Sequence, residues 1–202
     1  MASTLLFSLL LLLSISLFPF IIHGAKENHN HKHYTPLIQK TCKTISANDF
    51  ADYDFCISTL QARPARECAT LLRIGWTTIE LLMSNVTDTR RHIKGVLTSG
   101  KVQRWVRRCV RECYSLYDMA LVQAESLLWE YTHREYDSIE YAANNIMNYA
   151  ALCDDLFVEG SQSMPVPGCG GGVSPFSARN NNAVQLSGMA LAVIRLLKGE
   201  LH

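Results

Sequence analysis

Apolar residues recur at steps of three and four along residues 102–131, which places them on one face of an α-helix. No Gly or Pro interrupts this stretch, and a helix of that length would measure about 45 Å. A helix with one apolar face must bury that face against other elements. The stretch therefore predicts a helical domain. Its inward residues are Val102, Val106, Cys109, Val110, Cys113, Leu116, Tyr117, Ala120, Ala124, Leu127, Leu128 and Tyr131.

Three further segments keep the same period and predict helices over residues 66–97, 137–157 and 177–199. The last of these is apolar on nearly all sides between Met189 and Leu197, so we expect it to be the most buried helix. Short or Gly/Pro-rich links join the four helices, which predicts an all-α, antiparallel up-down-up-down four-helix bundle over residues 65–202. In the helix predicted over 66–97, the inward residues are Ala69, Leu72, Trp76, Ile79, Leu82, Met83, Val86, Ile93 and Val96.

The chain before residue 65 divides into three parts. Residues 1–24 are almost wholly apolar and end in Gly24, which indicates a secretory signal peptide rather than a membrane anchor. Residues 25–35 form a polar, His-rich and flexible N-terminus, in which His29, His31 and His33 could hold a soft metal ion only weakly. Residues 36–64 contain two short apolar pieces around a polar turn and predict an N-terminal hairpin. We therefore expect a protein that is secreted and free of the membrane once the signal is removed.

Seven cysteines follow the signal peptide, and in a secreted chain they indicate disulfides. Cys42 and Cys56 bracket the turn of the hairpin, and a bridge between them would hold its two short pieces together. Cys113 lies 21 residues before Arg134 and Cys153 lies 19 residues after it (134 − 113 and 153 − 134). At about 1.5 Å per residue, the two cysteines lie at nearly the same height on antiparallel neighbours. A Cys113–Cys153 bridge is therefore expected.

The other three cysteines are less constrained. A bridge between Cys109 and Cys169 is predicted, because the loop that contains Cys169 is expected at the same end of the bundle as Cys109. Cys68 is then left without a partner. No close cluster of Cys and His indicates a metal site.

The formal net charge of +1 argues against a nucleic-acid-binding protein. Eight Lys and Arg residues nevertheless occur between Arg90 and Arg111 with no acid among them. Four of them predict a basic stripe on the helix over 102–131: Arg104, Arg107, Arg108 and Arg111. The stripe is either an ordinary solvated face or a surface that attracts an acidic partner.

No catalytic motif and no cofactor-binding motif occurs in the chain, so we predict no catalytic residues, no metal and no cofactor. Asp154 and Asp155 form a pair of carboxylates, but adjacent helical positions diverge, so a solvated surface is the preferred interpretation. Asn85-Val86-Thr87 is a glycosylation sequon, and it predicts a glycan on Asn85 if that side chain faces outward.

Four segments together resemble the plant invertase and pectin methylesterase inhibitor family, over essentially the whole mature chain. They are Tyr53-Asp54-Phe55-Cys56 followed by Ser58, Leu60 and Pro64; residues 113–120 (CYSLYDMA); residues 150–157 (AALCDDLF); and Val184-Gln185-Leu186-Ser187 leading to Ala190, Leu191, Ala192 and Ile194. The first segment is especially similar to the pollen-allergen-type invertase inhibitor branch.

This resemblance implies a helical N-terminal hairpin, the disulfides Cys42–Cys56 and Cys113–Cys153, and a secreted inhibitor without enzymatic activity. Pectin methylesterase is the favoured target and cell-wall or vacuolar invertase the alternative. The resemblance also implies an apoplastic location, where the basic stripe would attract an acidic enzyme surface or de-esterified pectin. A non-inhibitory cell-wall protein that binds pectin through this stripe is an alternative of another class. The chain departs from the invertase branch at residues 133–137, where His-Arg-Glu-Tyr-Asp replaces a Pro-Lys-Phe element. Its three additional cysteines also exceed the family's basic framework of four.

Overall fold

A computed structural model describes residues 35–158 and 172–201 of the 202-residue chain. The predicted signal peptide, the His-rich segment and Cys169 lie outside these ranges, so those predictions stay untested. The described residues are helices and short connections, which confirms the all-α class. No helix within these ranges has the length and apolar character needed to cross a membrane.

The N-terminal hairpin consists of α1 (Pro36–Ala47) and α2 (Tyr53–Gln61). The side chain of Thr35 accepts a hydrogen bond from the Ile38 amide at 3.3 Å, and Pro36 occupies the first helical turn, so the sequence marks the start of α1. Helices this short are marginal in water on their own. A disulfide joins Cys42 to Cys56 with 5.6 Å between their Cα atoms and links the two helices through their buried faces.

The first bundle helix begins later than the sequence pattern predicts. A 3₁₀ turn covers Ala65–Cys68, and α3 then runs over Leu71–Thr98. The side chain of Thr70 accepts from the Arg73 amide at 3.2 Å and caps the new helix. Because the helix begins only after this cap, the prediction that Ala69 and Leu72 lie on its inward face is wrong. Both residues are exposed.

The second bundle helix also starts late, since α4 covers Arg107–His133 and not residues from 102 onward. The carbonyl of Gln103 accepts from the amides of Val106 and Arg107 in the turn before it. Arg134 adopts a left-handed conformation (φ 59°) and ends the helix. Helices α5 (Tyr136–Asp155) and α6 (Ser177–Lys198) follow close to their expected bounds.

The four long helices form a closed ring in which α3 contacts α4, α4 contacts α5, α5 contacts α6 and α6 contacts α3. The Tyr131 hydroxyl at the end of α4 donates to the Leu72 carbonyl at the start of α3, at 2.7 Å. Lys198 at the end of α6 donates to Asp137 at the start of α5, at 2.9 Å. Each pair joins opposite ends of the two helices, so neighbouring helices run antiparallel.

Helix α6 is the most enclosed element, and the prediction that its second half is buried is confirmed for all residues from Met189 to Ile194. Its neighbours are α3, α5 and the hairpin. The hairpin turn lies so close to α6 that a Cβ on Gly188 would be 2.7 Å from the carbonyl carbon of Phe50. Gln185 bonds Asp52 twice, accepting from its amide at 2.8 Å and donating to its carboxylate at 2.6 Å.

Candidate partner-binding surface

The basic run lies at one end of the bundle, where α3 ends and α4 begins. Two of its arginines are already paired: Arg90 bonds the Asp118 carboxylate and the Tyr114 hydroxyl, and Arg91 pairs with Asp88. The four arginines that were predicted to form a stripe are all exposed, and none has an acidic partner among the described residues: Arg104, Arg107, Arg108 and Arg111.

One part of the stripe prediction is wrong. Arg104 lies in the turn before α4, so only Arg107, Arg108 and Arg111 are on the helix itself. The first turn of α4 has neither a side-chain cap nor an acidic residue. Positive charge in that turn is repelled by the helix dipole and would be better placed at the other end. Arg107 and Arg108, which lie in that turn, therefore do not stabilise α4. All four exposed arginines leave uncompensated positive charge that is available to an anionic partner.

Beyond these arginines, the same side of α4 carries exposed apolar residues. At 3.6 residues per turn, Arg108, Arg111, Met119, Val122 and Trp129 fall within about 80° of one another. We call these five residues the α4 outer face. Its three apolar side chains are 43%, 66% and 61% exposed, respectively. The face thus combines a basic end with an aromatic and aliphatic end, which is the composition that protein interfaces favour in their buried centre and charged rim.

Trp129 is held in place at the apolar end of this face. The His133 ring stacks on its indole with 4.1 Å between the centroids, and the His133 Nδ1 lies 2.8 Å from the Trp129 carbonyl oxygen. A tryptophan that is already restrained loses little side-chain entropy when a partner covers it. This arrangement suits an anchor residue in a protein complex.

A groove opens beside the α4–α5 turn, between the start of α3 and the end of α4, with a volume of about 400 Å³. Tyr131 forms its floor, and its ring contacts Trp76 edge-on at 6.2 Å. A Cβ on Gly75 would lie 3.0 Å from two ring carbons of Tyr131 and closer still to its hydroxyl, so Gly75 gives the ring room to reach Leu72. We call this feature the end groove.

The sequence profile of plant invertase/pectin methylesterase inhibitors matches residues 36–193, which is more than half of the chain. The chain belongs to this family.

Its relatives include a protein of Platanus acerifolia named "Putative invertase inhibitor", which is 26% identical over 80% of this chain and 85% of its own length. The "Cell wall / vacuolar inhibitor of fructosidase 2" of Arabidopsis thaliana is 28% identical over 78% of this chain and 81% of its own length. A crystal structure of a pectin methylesterase inhibitor from Arabidopsis thaliana superposes with a TM-score of 0.51. The superposition covers 79% of this chain and 95% of the crystallised inhibitor, at 17% sequence identity. It therefore supports the fold alone.

This family member contains both disulfides that were expected. The second joins Cys113 to Cys153 with 4.9 Å between their Cα atoms and ties α4 to α5. Cys109 also takes part in a disulfide, while Cys169 lies outside the described residues, so their pairing stays a prediction. Cys68 has a free thiol, and burial raises its pKa, which makes the thiol unreactive at neutral pH.

A buried polar network in this inhibitor fold was not foreseen from the sequence. The Tyr117 hydroxyl donates to Asn180 Oδ1 at 2.7 Å, and Asn180 Nδ2 donates to Asp154 at 2.6 Å. Ser177 donates to the same carboxylate at 3.1 Å. Asp154 is therefore not the solvated surface carboxylate that we expected, because it joins α5 to the start of α6. Burial first, and then the nearby Asp154 charge, raise the pKa of Tyr117, which stays a neutral donor.

Asn85 of the sequon is half-buried in α3, and its Oδ1 is buried without a hydrogen-bond partner among the described residues. This is less open than the outward position that was expected, so glycosylation stays a prediction. No group of three or more His, Cys, Asp or Glu side chains within the described ranges is arranged to hold a metal ion.

Proposed function

We propose that this protein is a secreted inhibitor that blocks a plant cell-wall carbohydrate enzyme by forming a one-to-one complex, with acid invertase as its first target. The observation that carries the proposal is the function named for its relatives, which align with 78–80% of the chain. The sequence alone favours pectin methylesterase as the target, whereas the names of these relatives favour invertase. The family includes both kinds of inhibitor, so the esterase is the second candidate.

The α4 outer face is the surface that we propose for this complex. Its apolar end would be buried against the enzyme around Trp129, since aromatic anchors near the centre of an interface contribute most of the binding free energy. Its basic end would lie at the rim, where charge mainly accelerates association and makes it sensitive to salt. Because the bundle is a rigid body crosslinked between α4 and α5, little conformational entropy would be lost on binding.

A paired inhibition assay tests the target. Secreted, oxidised protein is titrated against a plant acid invertase and a plant pectin methylesterase at mildly acidic pH. Loss of invertase activity at a near-equal molar ratio supports the first target, and loss of esterase activity alone transfers the proposal to the second. Full activity of both enzymes across several isoforms would contradict an inhibitory role.

Two variants test the surface in the same assay. Trp129→Ala should weaken inhibition at least tenfold, whereas Tyr141→Ala should leave it unchanged, since Tyr141 is equally exposed (67%) but lies on α5. The combined Arg108→Gln and Arg111→Gln variant should slow association and reduce its dependence on salt. Equal effects of the Trp129 and Tyr141 substitutions would argue against this face.

Direct binding of pectin is the alternative from another class, and the uncompensated charge at the basic end of α4 is the observation that favours it. Retention of the protein on pectate beads in the absence of any enzyme, lost in the two-arginine variant, would support that role. Secretion to the apoplast is part of the main proposal. It predicts a mature protein that begins at Ala25, which N-terminal sequencing of the secreted material would reveal.

A further inference from the structure

The end groove lies at the opposite end of α4 from the basic run and is not needed for the surface proposed above. Three aromatic rings line it, from Trp76, Tyr131 and Tyr136. The Tyr131 and Tyr136 rings are tilted against each other with their centroids 6.5 Å apart. The Tyr131 hydroxyl is fixed on the Leu72 carbonyl, so the floor is rigid before any ligand arrives. A rigid concave site with apolar walls and a volume of about 400 Å³ is within the size range of small-molecule sites.

Two arginines, Arg73 and Arg134, also line the groove, and both are exposed. No acidic residue lines the groove, and neither arginine has an ion-pair partner among the described residues. The groove therefore carries two positive charges above an aromatic floor. Such a combination favours a ligand that has a negative group and also an apolar ring face.

Both arginines occupy positions that local helix rules disfavour. Arg73 is in the first turn of α3, which contains no acid and where the helix dipole repels positive charge. Arg134 adopts a left-handed conformation (φ 59°) at the end of α4, a position where Gly or Asn would be less strained. The charge of Arg73 does not help its own helix, and the charge of Arg134 suits the end of α4 without requiring its strained backbone. The fold nevertheless brings the two side chains to the same groove. Residues that break local rules and converge in space are typical of a functional site.

We infer that the end groove binds a small ring-bearing monocarboxylate, with its ring against Trp76 and Tyr136 and its carboxylate between Arg73 and Arg134. A neutral sugar would leave the arginines without a partner, and an inorganic anion would leave the aromatic walls exposed. Two sources share the required chemistry: a hexuronic acid, such as the galacturonic acid that forms pectin, and an aromatic carboxylic acid. The inference is independent of which enzyme the protein inhibits.

The test titrates galacturonic acid and benzoic acid into the oxidised, secreted protein at a pH of about 6, where both carboxylates are ionised. Calorimetry measures the affinity. The part of the tryptophan fluorescence quenching that is lost in a Trp76→Phe variant reports on Trp76, since Trp105 and Trp129 are exposed elsewhere. Methyl galacturonate, in which the carboxylate is esterified, serves as the neutral counterpart of the sugar. We expect one of the acids to bind saturably below about 10 mM and the ester to bind at least tenfold more weakly.

The variant for this test is Arg73→Gln combined with Arg134→Gly. Glycine suits the left-handed position, so the variant should fold at least as well as the wild type and still bind the acid at least tenfold more weakly. Arg107→Gln with Arg108→Gln is the matched control. It removes the same charge from two exposed positions in the first turn of α4, at the other end of the bundle, and should bind normally.

The outcomes distinguish the two acids from each other and a small-molecule site from a contact site for the enzyme. Binding of only one of the two acids assigns the source. Absence of binding by both acids, equal binding of the ester, or unchanged binding by the Arg73/Arg134 variant would overturn the inference. If that variant instead lost enzyme inhibition while no acid bound, the groove would be a contact site for the partner enzyme and not a small-molecule site.

Discussion

Replacing Gly188 by alanine tests how the hairpin is attached to the bundle. The added Cβ would lie 2.7 Å from the carbonyl carbon of Phe50 and closer still to its oxygen, so either α6 or the hairpin turn must move. The obstructing atoms belong to the backbone of a turn whose flanking helices are joined by a disulfide. They cannot move aside as a side-chain tip would, and the turn as a whole would have to lift from α6.

The expected loss of stability follows from the contacts at this junction. Overpacking typically costs about 1–3 kcal/mol. Lifting the turn also weakens the two exposed hydrogen bonds between Asp52 and Gln185, each contributing about 0.5 kcal/mol. It would weaken the contact of Arg195 over the Phe50 ring, now 5.1 Å from its centroid and contributing about 0.5 kcal/mol. Alanine is favoured over glycine within a helix by about 1 kcal/mol. The net expectation is a destabilisation of about 2 kcal/mol.

Urea unfolding followed by circular dichroism measures this change, and Gly95→Ala is the matched control. Gly95 is also inside a long helix, but a Cβ at that position would meet nothing within 4 Å. The control should therefore be stabilised by up to about 1 kcal/mol. Hydrogen exchange at the Asp52 amide adds a local measurement, since it should accelerate in the Gly188 variant. A Gly188→Ala protein as stable as the Gly95→Ala protein, with Asp52 still protected, would refute the reasoning.

Three further predictions concern the interior. Tyr117→Phe should lower the free energy of unfolding, measured in urea, by about 1–3 kcal/mol, because it leaves Asn180 Oδ1 buried without its donor. An unchanged free energy would mean that water or another donor replaces the hydroxyl. Replacing Cys113 and Cys153 by serine should lower the free energy of unfolding by about 4 kcal/mol, because the bridge spans a 40-residue separation. Replacing Cys42 and Cys56 should lower it by about 3 kcal/mol, because that separation is 14 residues. The reverse order would exclude the chain-entropy explanation. Burial raises the pKa of Tyr117 and of Tyr131, so the unfolded chain releases these protons first and stability should fall as pH rises above about 10. Unfolding curves recorded from about pH 8 to about pH 11, around the ordinary pKa of tyrosine, should show a shallower decline for Tyr117→Phe.

The two long helices whose predicted starts were wrong show what a pattern of apolar positions leaves out. The apolar period runs continuously through residues 66–97, but it does not reveal that Thr70 caps a new helix after a 3₁₀ turn. A cap is a local hydrogen bond formed by one side chain, and it leaves no trace in a pattern of apolar positions. The same limit applies to Arg104, which shares the spacing of the basic stripe but lies in the turn before α4.

The Cys113–Cys153 bridge shows the opposite case, in which the sequence alone was sufficient. Both residues lie on regular helices joined by a tight turn, so their heights follow from counting residues at a constant rise. The Tyr117–Asn180–Asp154 network could not be found in this way. Its members come from three different helices, and no single segment has a spacing that connects them.

The sequence by itself determined the helical class, the four long helices, the buried second half of α6 and the family resemblance, because each depends on the order and period of residues along one segment. Tertiary structure alone decided where the hairpin docks, since that depends on Gly188 meeting Phe50 across the chain. It also decided that Arg73 and Arg134 share one groove. Contacts between distant segments depend on the angle and rotation at which helices pack, and these are set by the fit of all the side chains together rather than by any one stretch of sequence.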